Sequence, residues 1–351
     1  MAADLFDAVI VGTGPAGLLA GRILESHGLS VQCIDANYGA VSAQSEHVHF
    51  FAQPALEVIA RWCPDFRQRL IQQGVRPADC DGRSTAIDTG SLWPSRRAFD
   101  GALHAACQPR NRVLLDRVRR IGYRQGSWVL SGRFGSVRSR ILVDASGRSR
   151  CTLNHVGRLA AKPVVINEGP STASYLSCVT SGVNAAGSQL VVKLRGVEDE
   201  ASLLALRLEK EKWQLTLALP PDSAIRNWKT AVNALPAQAR TFLDGHQHPA
   251  KTHRYGGQRS SFLMADNSTT PAGWLPLGDS LFTSPPYQGN GVHNLVAQLR
   301  LLDDGLHHKR SLPDLRDSIF DLANSAWLRA TLLDTLSNPT CLSEQALTAF
   351  A

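Results

Sequence analysis

The stretch Ala8-Val-Ile-Val11-Gly12-Thr-Gly14-Pro15-Ala16-Gly17 places three glycines at the Gly-x-Gly-x-x-Gly spacing, after an apolar run and before a helical pattern. Residues of this type at this spacing bind phosphate. Gly12 permits a tight turn, Gly14 lets backbone N–H groups approach a pyrophosphate with no Cβ in the way, and Gly17 with Gly21 lets helix and strand pack closely. The helix N-terminus adds the positive end of its dipole. Asp35, with Ala36 beside it, closes the apolar run Ser30-Val-Gln-Cys-Ile-Asp35, where its carboxylate can accept hydrogen bonds from both ribose hydroxyls of an adenosine. A complete strand, helix, strand and acid predicts dinucleotide binding over a glycine turn without a ligand.

Two later segments repeat the device. Arg140-Ile-Leu-Val-Asp144-Ala-Ser-Gly147-Arg reads as a buried strand ending in an acid and a glycine turn. In Trp274-Leu-Pro-Leu-Gly278-Asp279 through Pro285-Pro286-Tyr287-Gln288-Gly289-Asn290-Gly291, a strand delivers an acid, a proline pair fixes a loop, and a glycine turn opens a helix from about Gly291 to Leu302. The alternating pair His47-Val-His49 would face one way on a strand, as metal ligands do, but no third ligand is near. No metal is expected, and the pair reads as lining a cleft.

The elements that must hold these turns are legible from periodicity. Helices are expected over Pro54–Trp62, Pro64–Gly74 and Arg96–Cys107. Short strands are expected at Thr85–Asp88, Ser91–Trp93 and Val113–Leu115 and from Val118, with a glycine-turned meander through Trp128–Leu130 and Ser136–Arg138. From about residue 155 the pattern changes. Tyr175–Thr180, Gln189–Leu194, Leu203–Leu208 and Trp213–Leu219 read as one antiparallel sheet, Ile225–Leu235 and Ala237–Leu243 as helices, and Leu312 to about Leu336 as a long amphipathic helix.

Bulk properties narrow the class. The 351 residues are 43% hydrophobic, enough for two domains or one core with an added sheet. The seven cysteines are scattered and never spaced Cys-x-x-Cys, which argues against a disulfide framework and a zinc site and suits a cytoplasmic protein. No run of eighteen apolar residues exists, so no integral membrane segment is expected, and the apolar start lacks the basic region of a signal peptide. The net charge of +7 is spread over many segments, which favours a field that draws anionic cofactors over nucleic-acid binding.

These three turns in this order resemble the class A flavin monooxygenases, the aromatic hydroxylase and squalene-epoxidase-like FAD-dependent oxidoreductases, with flavin-dependent halogenases as relatives. The resemblance covers about residues 5–150 and 270–302. It implies an α/β fold with a Rossmann-like (GR2-type) FAD-binding domain, an inserted antiparallel substrate sheet and a C-terminal helix. The domains implied are 1–155 (with substrate-layer strands near 80–95) and 266–305 for FAD, 156–265 for substrate, and 306–351 as a helical tail. Gly12, Gly14, Pro15, Ala16, Gly17, Asp35 and Ala36 match the ADP-binding fingerprint. Arg96, with Arg97 as the alternative, heads a helix beside FAD, and Val118 falls where a backbone group meets adenine. Asp144 and Gly147 match the family's second motif. Gly278, Asp279, Pro286, Gln288, Gly289, Asn290 and Gly291 match the motif that meets the ribityl chain and isoalloxazine.

The resemblance further implies a monooxygenase that transfers one oxygen atom of O₂ to an electron-rich substrate through a flavin C4a-hydroperoxide. NAD(P)H is the transient reductant, and His49, Tyr287 and His293 are candidates for substrate or proton handling. The substrate is an aromatic or otherwise electron-rich small molecule or a side chain of a partner protein, as in quinone-cofactor maturation. A flavin dehydrogenase without oxygen transfer is the further alternative. Halogenation is disfavoured, because Leu92-Trp-Pro lacks the second tryptophan of the halogenase motif and no lysine occurs between Met1 and Arg150.

Overall fold

The computed structural model describes residues 4–40, 43–47, 49, 51, 53–75, 92–109, 113–182, 191–194, 201–209, 212–220, 223–266, 268–284 and 290–337. Two six-stranded sheets form its frame. The first contains β1 (Asp4–Val11), β2 (Val31–Ile34), β3 (Arg120–Arg124), β4 (Ser127–Gly132), β5 (Gly135–Asp144) and β11 (Trp274–Pro276). Its order is β2-β1-β5-β4-β3, with β11 beside the second half of β5. The segments around Ser136 and Arg140, read separately in the sequence, are one ten-residue strand. Its first half is antiparallel to β4 and its second half is parallel to β1 and β11. Leu114 adds a parallel bridge outside β2 at Ile34.

Register aligns the ends of the parallel strands. Val11 pairs with Ile34 and with Asp144, and Asp144 pairs with Pro276, so β1, β2, β5 and β11 stop at one level. Each expected turn therefore leaves the sheet on the same edge, where ligands of open α/β sheets bind. The helices α1 (Pro15–Ser26), α2 (Gln53–Trp62), α3 (Phe66–Gln72) and α4 (Arg96–Ala106) follow the expected pattern, and a short α5 (Leu153–Gly157) follows the turn after β5. Their apolar residues, including Leu19, Ile23, Ile59, Phe66 and Phe99, join the main core. The expected strands Thr85–Asp88 and Ser91–Trp93 lie outside the described residues except at their end, where Leu92 forms a single bridge.

The second sheet runs β12-β10-β6-β9-β8-β7, from β6 (Val165–Ser181), β7 (Val191–Leu194), β8 (Ser202–Arg207), β9 (Lys212–Leu219), β10 (His253–Met264) and β12 (Phe282–Thr283). One face is apolar. Leu176, Cys178, Leu203, Ala205, Trp213, Leu215 and Leu217 pack with Trp228 and Ala231 of α6 (Trp228–Asn233) and Ala239 of α7 (Ala237–Asp244). The opposite face carries Ser177, Gln214 and Thr216 together with Tyr175 and Leu206, and the segment Ser45–His47 meets it at Ser177 and Gln214. The helix expected from Ile225 starts at Trp228, where Asn227 caps it by accepting from Thr230 N at 2.9 Å. Helix α8 (Gly291–His307) packs on α1 and α2, and α9 (Leu312–Ser337) packs on α8 and on β10. No helix among the described residues is long and apolar enough to cross a membrane.

Candidate cofactor and substrate cleft

The first turn leaves β1 at Gly12, whose φ of +99° suits only glycine and whose added Cβ would lie 2.5 Å from the Ala145 carbonyl oxygen. An added Cβ at Gly17 would lie 1.9 Å from the Gly12 carbonyl oxygen, so the helix start and the turn touch backbone to backbone. Gly14 differs, because its Cβ position faces open space with nothing within 4 Å. Gly14 is also the N-cap of α1 and offers no side-chain cap, with Pro15 in the first turn. The N–H groups of Ala16 and Gly17 at this helix start thus border a cradle with room for a phosphate, and the residues fit a dinucleotide.

Asp35 stands beside this cradle at the end of β2. Its Oδ2 accepts from Thr13 N at 2.7 Å and Thr13 Oγ1 at 2.6 Å, and its Oδ1 accepts from Asn37 N at 2.8 Å. The acid ties the two strand ends together and keeps acceptor capacity chiefly on Oδ1, so capture of both ribose hydroxyls is narrower than the sequence suggests. Ala36 is exposed, and Val118 is half-buried against the main core.

Asp144 is 1% exposed. Its Oδ1 accepts from Ser146 N (3.0 Å), Ser146 Oγ (2.6 Å) and Ser280 Oγ (3.1 Å), and its Oδ2 from Thr152 N (3.1 Å) and Thr152 Oγ1 (2.6 Å). Both oxygens are thus engaged by protein donors, and Asp144 fixes the turn that carries Gly147 (φ +67°) and joins it to the one that carries Asp279. Sequence reasoning missed a second clamp on that turn. Gln298 of α8, itself 1% exposed, accepts from Gly278 N through Oε1 at 2.8 Å.

Asp279 is half-buried, and burial pushes its carboxyl up against the opposing pull of Arg148, Arg96 and Arg150. Arg96 heads α4 and donates from Nε to Asp100 at 2.8 and 2.9 Å. Helix α4 is started by Ser95, whose Oγ accepts from Ala98 N. Arg150 adopts a left-handed conformation (φ 43°) and donates from Nε to the Ser280 carbonyl at 3.0 Å and from Nη2 to Ser261 Oγ at 2.7 Å. Arg148 acts on Tyr255 of β10 as well as on Asp279, and Arg96 acts on His49 as well. The strand ends and the second sheet therefore come close together around these arginines.

His49 donates from Nδ1 to the His47 carbonyl at 2.8 Å, and burial first, then Arg96, pushes its imidazole down to about 3. His293 is exposed in the first turn of α8. Asn290 and Gly291 are exposed at the start of α8, which has no side-chain cap, so a second bare helix N-terminus stands at this end of the fold. Pro286, Tyr287, Gln288 and Gly289 lie outside the described residues.

Residues 6–61 match the family model of the FAD binding domain. No curated protein sequence matches the chain. Among solved structures, a flavin-dependent brominase superposes with a TM-score of 0.70 at 17% identity, covering 95% of this chain and 90% of its own. The p-nitrophenol 4-monooxygenase PnpA of Pseudomonas putida gives 0.70 at 16% identity, covering 99% and 92%. HpxO of Klebsiella pneumoniae, solved with FAD and uric acid, gives 0.71 at 13% identity, covering 99% and 91%. The chain thus has the fold of the class A flavin monooxygenases and flavin-dependent halogenases. The dinucleotide for which its first unit is built is FAD.

Proposed function

We propose that this chain is an FAD-dependent monooxygenase of the hydroxylase type, reduced by NAD(P)H and acting on an aromatic or otherwise electron-rich small molecule. One observation carries the reading: the four parallel strands end level with one another, beside two helix starts without side-chain caps and opposite a polar sheet face. FAD, when bound, supplies the redox and oxygen chemistry. The chain's part is to hold, orient and enclose. Ala16 and Gly17 N–H groups receive the pyrophosphate, the free side of Asp35 Oδ1 receives a ribose hydroxyl, and Asp279, held among three arginines, receives the ribityl hydroxyls. The start of α8 presents N–H groups to the electron-rich edge of the ring. The walls of the cleft exclude water from the reacting atoms. Asp144 works through the turn that it fixes.

Purified protein reconstituted with FAD is expected to turn yellow and to oxidise NAD(P)H faster when substrate is present, with one atom of ¹⁸O₂ entering the product. Protein that stays colourless defeats the proposal. Yellow protein that oxidises a substrate without ¹⁸O incorporation reassigns the chain as a flavin dehydrogenase.

A further inference from the structure

Arg96, Arg148 and Arg150 gather about Asp279, and a second group of arginines stands apart from them. Seven arginines fall within residues 117–143, a stretch with no lysine and no acid. The chain has 37 Lys and Arg against 30 Asp and Glu, so the β3–β4–β5 meander alone accounts for the whole formal excess of +7. The excess is concentrated in one supersecondary unit rather than spread along the chain.

Strand alternation puts much of that charge on one face. Gly122, Val129, Arg138 and Leu5 are cross-strand neighbours in one row across β3, β4, β5 and β1. Arg120 and Arg124 stand two residues to either side of Gly122, and Arg140 stands two residues from Arg138, so four arginines share this side. Strand spacing keeps the four within about 15 Å. The other side carries Trp128, Leu130 and Val137, which are buried in the main core. The arginine side is open among the described residues: Leu5 is 67% exposed, the Arg140 side chain is 71% exposed, and an added Cβ at Gly122 would meet nothing within 4 Å. Arg140 pairs with Asp7, whereas Arg120, Arg124 and Arg138 pair with no acid among the described residues. Arg138 lies six residues before Asp144, about 20 Å from the strand ends at the cofactor edge, so cofactor binding does not account for these charges.

We propose that this face docks the acidic surface of a partner protein. Three features favour a protein over other anionic partners. Arginine is used to the exclusion of lysine, and protein interfaces are enriched in arginine and depleted of lysine, the planar guanidinium gripping a carboxylate at two points. The aromatic side chains Tyr123 and Trp128 turn to the opposite side, where their ring centroids lie 4.9 Å apart, so the face has no platform on which bases could stack. Leu5 is the one exposed large apolar side chain in the row, too little to insert into a bilayer. Gly122, Ser131 and Ser136 lie between the arginines and let an opposing surface come close.

A fluorescein-labelled peptide of alternating glutamate and glycine serves as the acidic probe, titrated by anisotropy into the FAD-loaded protein at physiological ionic strength. The parent is expected to bind it, and added salt to weaken the binding. Arg120→Gln, Arg124→Gln and Arg138→Gln combined are expected to weaken it about tenfold or more. Lys229→Gln, Lys251→Gln and Lys309→Gln combined remove the same charge from exposed positions elsewhere and are expected to leave affinity within about twofold. Melting temperature and FAD uptake should match the parent in both. If Arg138→Gln impairs folding, Arg120→Gln with Arg124→Gln carries the test, with a loss of about fivefold. No binding of the peptide overturns the docking face, and so do equal losses in the two variants, which would show that net charge alone attracts the probe. Oligodeoxythymidylate of the same charge, or phosphatidylcholine vesicles containing phosphatidylserine, bound more tightly than the peptide through the same arginines, would assign the face to a nucleic acid or a membrane and overturn the protein partner. A chain that takes up no FAD defeats the flavin reading alone, and the same titration on that chain still decides the docking face.

Discussion

Asp144 illustrates how one acid at a strand end can hold several turns together. Its carboxylate collects donors from Ser146, Thr152 and Ser280, and the same Thr152 Oγ1 accepts from Trp274 Nε1 at 3.0 Å, so β5, β11 and two turns meet at one side chain. Asp144→Ala strands several buried donors and is expected to destabilise the protein by about 3 kcal/mol, read as a shift in the denaturation midpoint. A loss of FAD affinity with stability unchanged would instead make the acid a direct ligand. His47 and His49 set an acid limit. Their imidazoles are pushed down to about 4 and about 3, so above pH 6.5 they are neutral folded or unfolded and add no pH dependence. Below 6.5 the unfolded chain binds protons that the folded chain refuses, and stability falls as pH drops toward 4 and then 3. The raised carboxyls of Asp100 and Asp279 act in the opposite sense, because their folded forms take protons first. Thermal melts from pH 7 to 4.5 are therefore expected to fall less steeply for His47→Gln than for the parent. Equal slopes would mean that His47 titrates normally.

The β1 to α1 turn separates glycines packed against backbone from one whose Cβ position is open. Gly17→Ala drives a methyl into the Gly12 carbonyl oxygen and is expected to abolish folding, while Gly14→Ala meets nothing within 4 Å at a φ of −67° that alanine accepts. Gly14→Ala is thus expected to melt like the parent without FAD and to bind FAD about tenfold or more weakly, measured by flavin fluorescence quenching. Unchanged FAD affinity would move the pyrophosphate elsewhere. Elements with strong local signals were legible: α1, α4 and α9 sit where their apolar spacing predicted. Strand β10 was not. His253-Arg-Tyr-Gly-Gly-Gln-Arg-Ser-Ser carries little apolar alternation, and its register against β6 shifts at Tyr255, Gln258 and Arg259. It is a strand because β6 and β12 satisfy its backbone on both edges, which is a tertiary cause.

Across the whole molecule the two sheets meet through side chains whose roles depend on register, and so the substrate face stayed illegible. Lys212-Trp-Gln214-Leu-Thr216-Leu alternates clearly, but only the cover that α6 and α7 lay over Trp213 and Leu215 shows that the polar side faces inward. Arg150 is the principal tie between the sheets. Its guanidinium joins the turn after β5 to the Ser280 carbonyl and to Ser261 of β10, whose Oγ lies 2.7 Å from Thr283 Oγ1 of β12. Arg150→Met keeps the apolar stem and removes both donations, including the one to the buried Ser280 carbonyl, so a loss of about 2–3 kcal/mol is expected. The loss should be unevenly distributed. If Arg150 couples the sheets, hydrogen exchange in the variant accelerates at the amides of β10 and β12 and hardly changes at those of β1 and β2, which are paired far from the tie. Acceleration spread evenly over both sheets would show that they open as one unit held by the shared core, and that the guanidinium adds stability without being the coupling.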